Sequence, residues 1–290
     1  MSHVVLTGGT GLVGSAVLTA LRDAGHQVTA VVRSEQSAAA VREAGATPAQ
    51  GDITDSTWLS GVFADADGAI HTASPGDATS ADFDAAVVQA ALTAYSGTGK
   101  PYVHTGGVWV WGSGDAITEQ DPFDAPELTA WRAGVEQKLL DDESLRGVVV
   151  APGIVYGGGG GLVATITQPD DNGAIRLVGD GSQHWTTVHT GELADLYVRA
   201  FEKSAARGYY IGVNDDHPTV REIGEAAAKA RGTDAVVAES ADDSRERLFA
   251  PLVDALLLDQ SAENGRAREL GWTPSGPSLL DDVAAKTTRA

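Results

Sequence analysis

The chain has no cysteine and a single methionine, and its acidic residues outnumber its basic ones, 40 against 20. Without thiols it forms no disulfide, no thiolate metal site and no cysteine nucleophile. The formal net charge of -20 repels phosphate backbones and anionic lipid surfaces, which argues against nucleic-acid and membrane partners. No apolar run is long enough to span a bilayer and no leader pattern precedes the first strand, so a cytoplasmic location is expected. His184 and His189 have neither helix-face spacing nor an accompanying carboxylate pattern, so no metal site is expected. The 290 residues can bury a large core without staples.

Glycine, in contrast, is plentiful, and its placement is informative. Val4-Val5-Leu6 runs into Thr7-Gly8-Gly9-Thr10-Gly11-Leu12-Val13-Gly14, after which Leu12, Val13, Ala16, Val17, Ala20 and Leu21 recur at helical spacing until Gly25. This is a strand, a tight turn and a helix. Glycines at 8, 11 and 14 let the chain turn sharply, admit a pyrophosphate and bring helix close to strand. The phosphates then meet free N–H groups at the helix start. Taken alone these glycines would equally suit a plain βα turn; their position after the first strand of an alternating chain points to a dinucleotide.

The second strand, Val28 to Val32, ends in Val32-Arg33-Ser34, where an NAD-preferring fold carries a carboxylate for the ribose hydroxyls. Arg33 instead offers a planar fork to a phosphate, with Ser34 as a neutral second donor, so the expected cofactor is NADP(H). Glu35 nearby would weaken such a site. Gly51-Asp52-Ile53 closes a third strand; Asp52 either accepts from an adenine amino group or belongs to a helix-starting turn that Thr54 or Asp55 caps.

Strands and helices alternate as in a Rossmann-type, doubly wound parallel α/β sheet. Strands are expected at 68–72, 102–105, 147–151, 186–189 and 208–213, and helices at 82–96, 127–144 and 192–203. Thr219 and Glu222 are spaced as a capping box. Residues 1–156 with about 186–214 would form the cofactor domain, and about 157–185 with 215–290 a small C-terminal substrate lobe. The glycine run 157–161 is expected to be a mobile loop near the cleft.

This order of pieces resembles the extended short-chain dehydrogenases/reductases, which include nucleotide-sugar epimerases and dehydratases. The resemblance covers nearly the whole chain. It rests on the glycine turn, Gly51-Asp52-Ile53, His71-Thr72-Ala73-Ser74, Val108-Trp109-Val110-Trp111-Gly112, Ala151-Pro152-Gly153-Ile154-Val155-Tyr156-Gly157, the segment 186–194 and Leu270-Gly271-Trp272-Thr273-Pro274. It implies that Gly8, Gly11 and Gly14, with Leu12 and Val13, hold the pyrophosphate, and that Arg33 faces the 2'-phosphate. It places Asp52 and Ile53 by the adenine, Thr72, Ala73 and Ser74 along the ribose linkage, and Pro152 and Ile154 by the nicotinamide. Family members often dimerise through helices after strands four and five, and Ala85 to Ala94 is small and apolar enough for this. A monomer using those residues to cover its own sheet fits equally.

The family's catalytic Ser, Tyr and Lys are not matched. The Ser position falls on Gly107, preceded by Gly106 and Thr105, of which only Thr105 has a hydroxyl. Over Leu128 to Gln137, one register puts Trp131 at the Tyr and Val135 at the Lys; another puts Leu128 and Arg132 there. Indole N–H cannot release its proton and guanidinium is no acid at neutral pH, so Trp131 can position a substrate and Arg132 can replace the lysine's charge and ribose contacts, but neither can protonate a substrate. Candidate proton sources are Tyr156, His184, Thr105 and Glu136, although Glu136 also pairs naturally with Arg132 four residues earlier. His104 on strand five reads as a hydrogen-bonded core histidine. Trp109, Trp111, Trp131 and Trp185 suggest an apolar pocket for a small molecule. The expectation is an NADPH-dependent reductase of an imine, iminium or activated C=C bond, substrates that demand least of an acid. A non-catalytic NADP(H)-binding regulator is the alternative. A nucleotide-sugar epimerase or dehydratase, which needs the missing base, ranks third.

Overall fold

The computed structural model describes residues 1–285. In chain order the strands are β1 (His3–Thr7), β2 (Gln27–Val32), β3 (Thr47–Gln50), β4 (Gly68–His71), β5 (Pro101–Thr105), β6 (Gly114–Ile117), β7 (Arg146–Pro152), β8 (Ile154–Tyr156), β9 (Ile175–Arg176), β10 (Thr187–His189), β11 (Gly208–Gly212), β12 (Val236–Val237) and β13 (Gln260–Ala262). The helices are α1 (Leu12–Asp23), α2 (Glu35–Glu43), α3 (Ser56–Ala64), α4 (Ser80–Tyr95), α5 (Trp131–Leu140), α6 (Gly161–Ile166), α7 (Thr190–Glu202), α8 (Val220–Ala230), α9 (Ala241–Arg247), α10 (Ala250–Leu256), α11 (Gly265–Glu269) and α12 (Leu279–Ala285).

Seven strands form one sheet in the order β11-β7-β5-β4-β1-β2-β3, every neighbouring pair parallel. This is the Rossmann-type α/β fold anticipated from the sequence. Its central strands are mostly apolar because helices cover both faces, with Thr7, His71 and His104 as buried polar exceptions. Val4 and Leu6 pack with α1 and α7, while Val5 on the same strand packs with α3 and α4. The order reverses between β1 and β4, and the crevice at the carboxyl ends of these strands is where such folds bind ligands. A separate apolar cluster joins Ile154, Tyr156, Trp185, Ile223 and Leu256 beside that crevice.

Helix caps distinguish α1 from its neighbours. Ser34 caps α2 by accepting from the Ser37 N–H, Asp55 caps α3, and Thr219 with Glu222 forms the expected capping box on α8. At α1 the cap is Gly11, with no side-chain bond and no acidic residue in the first turn. Its N–H groups are thus left for an external acceptor.

Two expectations need correction. The helix expected over 127–144 spans only Trp131–Leu140, because the Pro126 carbonyl takes the Thr129 and Ala130 N–H groups in a separate turn. The strand at 186–189 pairs with β8 in a two-stranded ribbon rather than joining the main sheet.

Helix α7 packs along α1, and a buried arginine holds its far end. From β7, the Arg146 guanidinium donates to the carbonyls of Ala200, Phe201 and Lys203. Burial depresses its pKa, and these carbonyls supply what water would have supplied. Replacing it with Arg146→Met should lower unfolding free energy by about 3 kcal/mol in urea denaturation, since it strands several carbonyls at once.

Candidate active site

The first element of the site is a close approach of three backbone segments. Gly8 has φ +77, and a Cβ there would lie 2.6 Å from the Ala73 nitrogen and 2.7 Å from the Thr72 carbonyl carbon. A Cβ on Gly14 would sit 2.0 Å from the Gly8 oxygen and 2.6 Å from Thr72 Oγ1. The Thr72 hydroxyl donates to the Thr7 carbonyl at 2.7 Å, tying the end of β4 to the end of β1. Only glycine permits this packing, and it aims the uncapped start of α1 into the crevice. A dinucleotide pyrophosphate fits the resulting cradle.

Arg33 is exposed at the end of β2 and makes no hydrogen bond or ion pair among the described residues. Glu35, the neighbour that would weaken a phosphate site, is instead paired with Arg42 at 2.6 Å. Ser34 is occupied as the α2 cap. The Asp52 carboxylate accepts from the Thr54 hydroxyl at 2.7 Å and its N–H at 2.9 Å, and these bonds lower its pKa. Asp52 therefore builds a turn, whereas Asp55 caps the helix. Ile53 is buried, Thr72 and Ala73 are half-buried, and Ser74 is exposed.

A cleft of about 920 Å³ continues from the cradle, lined in part by Leu12, Ser74, Pro152 and Ile154. Gly106, Gly107 and Val108 form its floor beyond β5, and Leu128, Trp131 and Arg132 one wall. Phe249, Pro251 and Leu252 close it from the opposite side. The glycine run expected near the cleft lies against Leu12, with Gly161 in the lining. The four tryptophans divide: Trp109 and Trp131 line the cleft, but Trp111 packs edge-on to Phe123 and Tyr209, and Trp185 is buried with its N–H on the Leu256 carbonyl.

Three proposed proton sources are not brought to the cleft. The Tyr156 hydroxyl is buried, donates to the Pro277 carbonyl and accepts from Asn214 Nδ2, both at 2.6 Å, and burial pushes its pKa up. Thr105 Oγ1 is spent on the His71 carbonyl at 2.5 Å and the Tyr197 hydroxyl at 2.6 Å. His184 is exposed and paired with Asp259 at 2.9 Å. Trp131 and Arg132 remain. The indole N–H donates to the Leu128 carbonyl, and the Arg132 guanidinium lies 4.6 Å from the indole centroid. Arg132 also donates to the Thr105 carbonyl at 2.9 Å.

Beneath the floor is a buried polar cluster that sequence inspection only partly exposed. Asp84 lies 3.1 Å from His71 Nε2, 3.5 Å from His104 Nε2 and 3.6 Å from Arg132. Burial works against its charge, but the His104 and His71 contacts outweigh it and hold the carboxyl below its ordinary range. His104 is buried, with burial lowering its pKa. Glu136 is 3.9 Å from Arg132 and accepts from the Tyr209 hydroxyl at 2.9 Å. A signal for Asp84 was present: it stands in phase with Val87, Val88, Ala91 and Tyr95 on the buried stripe of α4. Phe249, overlooked in a polar stretch, is the other addition. Among the described residues no group of His, Asp and Glu side chains is arranged to hold a metal.

Gly14→Ala should lower affinity for a nicotinamide dinucleotide by at least about tenfold, about 1.4 kcal/mol, in a fluorescence titration. Gly9→Ala is the control, because its Cβ would meet nothing closer than Leu6 at 3.5 Å.

Comparison with known proteins agrees with this architecture. Residues 4–212 match the NAD dependent epimerase/dehydratase family. An uncharacterized protein of Schizosaccharomyces pombe is 29% identical, covering 98% of both chains. A 2-alkyl-3-oxoalkanoate reductase of Stenotrophomonas maltophilia is 29% identical over 76% of this chain and 73% of its own. The crystal structure of human epimerase family protein SDR39U1 with NADPH superposes with a TM-score of 0.80 at 22% identity, covering 99% of this chain and 100% of that one. No helix among the described residues is long and apolar enough to cross a membrane. With more than half its length matched and its main sheet parallel throughout as expected, the chain belongs to the NAD dependent epimerase/dehydratase family of extended short-chain dehydrogenases/reductases.

Proposed function

We propose that this protein is an NADPH-dependent reductase of a small apolar substrate whose hydride acceptor needs no side-chain acid, an iminium ion or an activated C=C bond. The observation that carries this reading is the cleft wall, where Leu128 and Trp131 offer no phenol to protonate a carbonyl oxygen, while Tyr156, Thr105 and His184 are engaged elsewhere. A bound nicotinamide dinucleotide would supply the hydride.

The chain's own groups would do the rest. Gly8, Gly11 and Gly14, with Leu12 and Val13, receive the pyrophosphate at the open end of α1. The unpaired Arg33 takes the 2'-phosphate, a preference that the NADPH-bound human relative supports. Thr72, Ala73 and Ser74 border the ribose linkage, and Pro152 and Ile154 support the nicotinamide. Trp109, Trp131, Leu162 and Phe249 present apolar surface to a substrate and exclude water. Addition of hydride to an iminium carbon completes the reduction with no proton required; after addition to an enone, solvent can protonate the neighbouring carbon. The lobe of about 157–185 and 215–290 would supply the outer wall of the substrate site.

Charge favours a neutral or cationic substrate. Arg132, the cation in the cleft lining, already faces two carboxylates, and Asp77 and Glu127 also line the cleft. A nucleotide-sugar diphosphate would meet acid and apolar surface rather than a basic cluster, besides lacking a base for oxidation of its hydroxyl.

The test is NADPH consumption against cyclic imines, iminium ions, enones, aldehydes, ketones and a 3-oxoalkanoate, with NADH alongside. Turnover of imines, iminium ions or enones with NADPH preferred supports the proposal. Rapid reduction only of simple ketones, or tight NADPH binding with no turnover in any class, overturns it, the latter in favour of a cofactor-binding regulator. Arg33→Ala should weaken NADPH binding about tenfold or more, the loss of a charge-assisted contact, and leave NADH unchanged. Phe249, 65% exposed at the cleft, should gain burial with substrate, so Phe249→Ala should raise KM about tenfold without moving NADPH affinity.

A further inference from the structure

The buried cluster below the cleft floor joins two carboxylates to the guanidinium of Arg132, which lines the cleft. Asp84, on α4, comes within 3.6 Å of Arg132 NH1, and Glu136, one turn along α5, within 3.9 Å. Glu136 Oε2 accepts from Tyr209 on β11, but its Oε1 is buried with no hydrogen-bond partner. Above Oε1 lies Gly106 in the cleft floor: a Cβ there would be 2.9 Å from Oε1 and 2.8 Å from Val149. The absence of a side chain at Gly106 therefore makes room for this carboxylate.

We propose that Asp84 and Glu136 are positioning residues that together hold Arg132 at the cleft, and that through this contact Glu136 makes cofactor affinity depend on pH. The proposal rests on the reading that a nicotinamide dinucleotide occupies the cleft.

The groups facing Glu136 determine which member titrates. Arg132 on its own helix and Tyr209 on β11 favour the carboxylate, Asp84 on α4 disfavours it, and β5 and β7 present Gly106 and Val149 without charge. Burial exceeds these effects and raises the Glu136 carboxyl to about 7. Asp84, which faces His71 on β4, His104 on β5 and Arg132, stays ionised. At acid pH Arg132 is thus balanced by one carboxylate and projects positive potential into the cleft. Above neutrality it is balanced by two, and an anionic ligand gains less there. The same linkage gives the sign for stability. The unfolded glutamate ionises near its ordinary value of 4.5, while the folded one keeps its proton to about 7. Its contribution to stability is therefore present at low pH and lost as pH rises through that window.

The test is NADPH affinity by fluorescence titration from about pH 6 to about pH 8, on wild type, Glu136→Gln and Tyr209→Phe. The ratio of variant to wild-type affinity cancels the titration of the ligand's own 2'-phosphate. Glu136→Gln, held neutral, should match wild type at the acid end and bind about three- to tenfold more tightly at the alkaline end. Its melting temperature above neutrality should equal or exceed that of wild type, which separates the effect from misfolding. Tyr209→Phe removes a donor to the carboxylate and should move the midpoint to higher pH. A constant Glu136→Gln to wild-type ratio across this range, or an unmoved midpoint in Tyr209→Phe, overturns the proposal. Failure of wild type to bind NADPH at any pH would instead overturn the functional reading beneath it.

Discussion

The site depends on the contact between Gly14 and the Gly8 carbonyl. With no Cβ at either position, α1 begins close against the β1 turn and the end of β4, with Thr72 bonded across to Thr7. Any side chain at Gly14 would push the helix away, since the first atom of that side chain would fall 2.0 Å from the Gly8 oxygen. Packing elsewhere reinforces the placement. Val17, Leu18 and Leu21 on the inner face of α1 are buried with Leu193, Leu196 and Tyr197 of α7, whose last carbonyls Arg146 satisfies. The helix that offers its N–H groups to a ligand is anchored along its length, and the absence of a polar cap leaves those groups open.

A second constraint is electrostatic. Arg132 places a guanidinium charge in the cleft lining, and that charge is matched from below. Asp84 and Glu136 sit where solvent cannot screen them; His71 and His104 outweigh the desolvation of Asp84, whereas that of Glu136 exceeds what Arg132 and Tyr209 return. The consequence is a cleft whose cation is compensated and whose walls are apolar. Such a cleft suits hydride addition to an acceptor that is already activated, and suits phosphorylated sugars poorly.

Much of this was legible in the sequence because local chemistry set it. The glycine turn, the apolar strands and the Thr219 capping box are properties of short segments, and they occur where their spacing placed them. The uncapped start of α1 follows from having glycine where Ser34 and Asp55 serve α2 and α3. What sequence could not settle was long-range. Tyr156 and His184 offered acidic protons, but their partners, Pro277, Asn214 and Asp259, lie far along the chain. Thr105 has a hydroxyl in the correct region, yet Tyr197 and the His71 carbonyl claim it. Trp111 and Trp185 were indistinguishable by type from Trp109 and Trp131 until packing assigned two to the core and two to the cleft. Asp84 was visible as a carboxylate on a buried stripe, but its pairing with two histidines and an arginine required four separate elements to converge.

The central claim is that hydride reaches the substrate with no proton delivered by the protein in the same step. Isotope effects on turnover of an iminium ion or enone, measured with cofactor deuterated at the transferred position and separately in deuterated solvent, test it directly. The account predicts a normal effect from the deuterated cofactor and none from the solvent in the hydride-transfer step. A solvent effect on that same step, present in wild type and removed with one cleft side chain, would reveal a proton donor and contradict it.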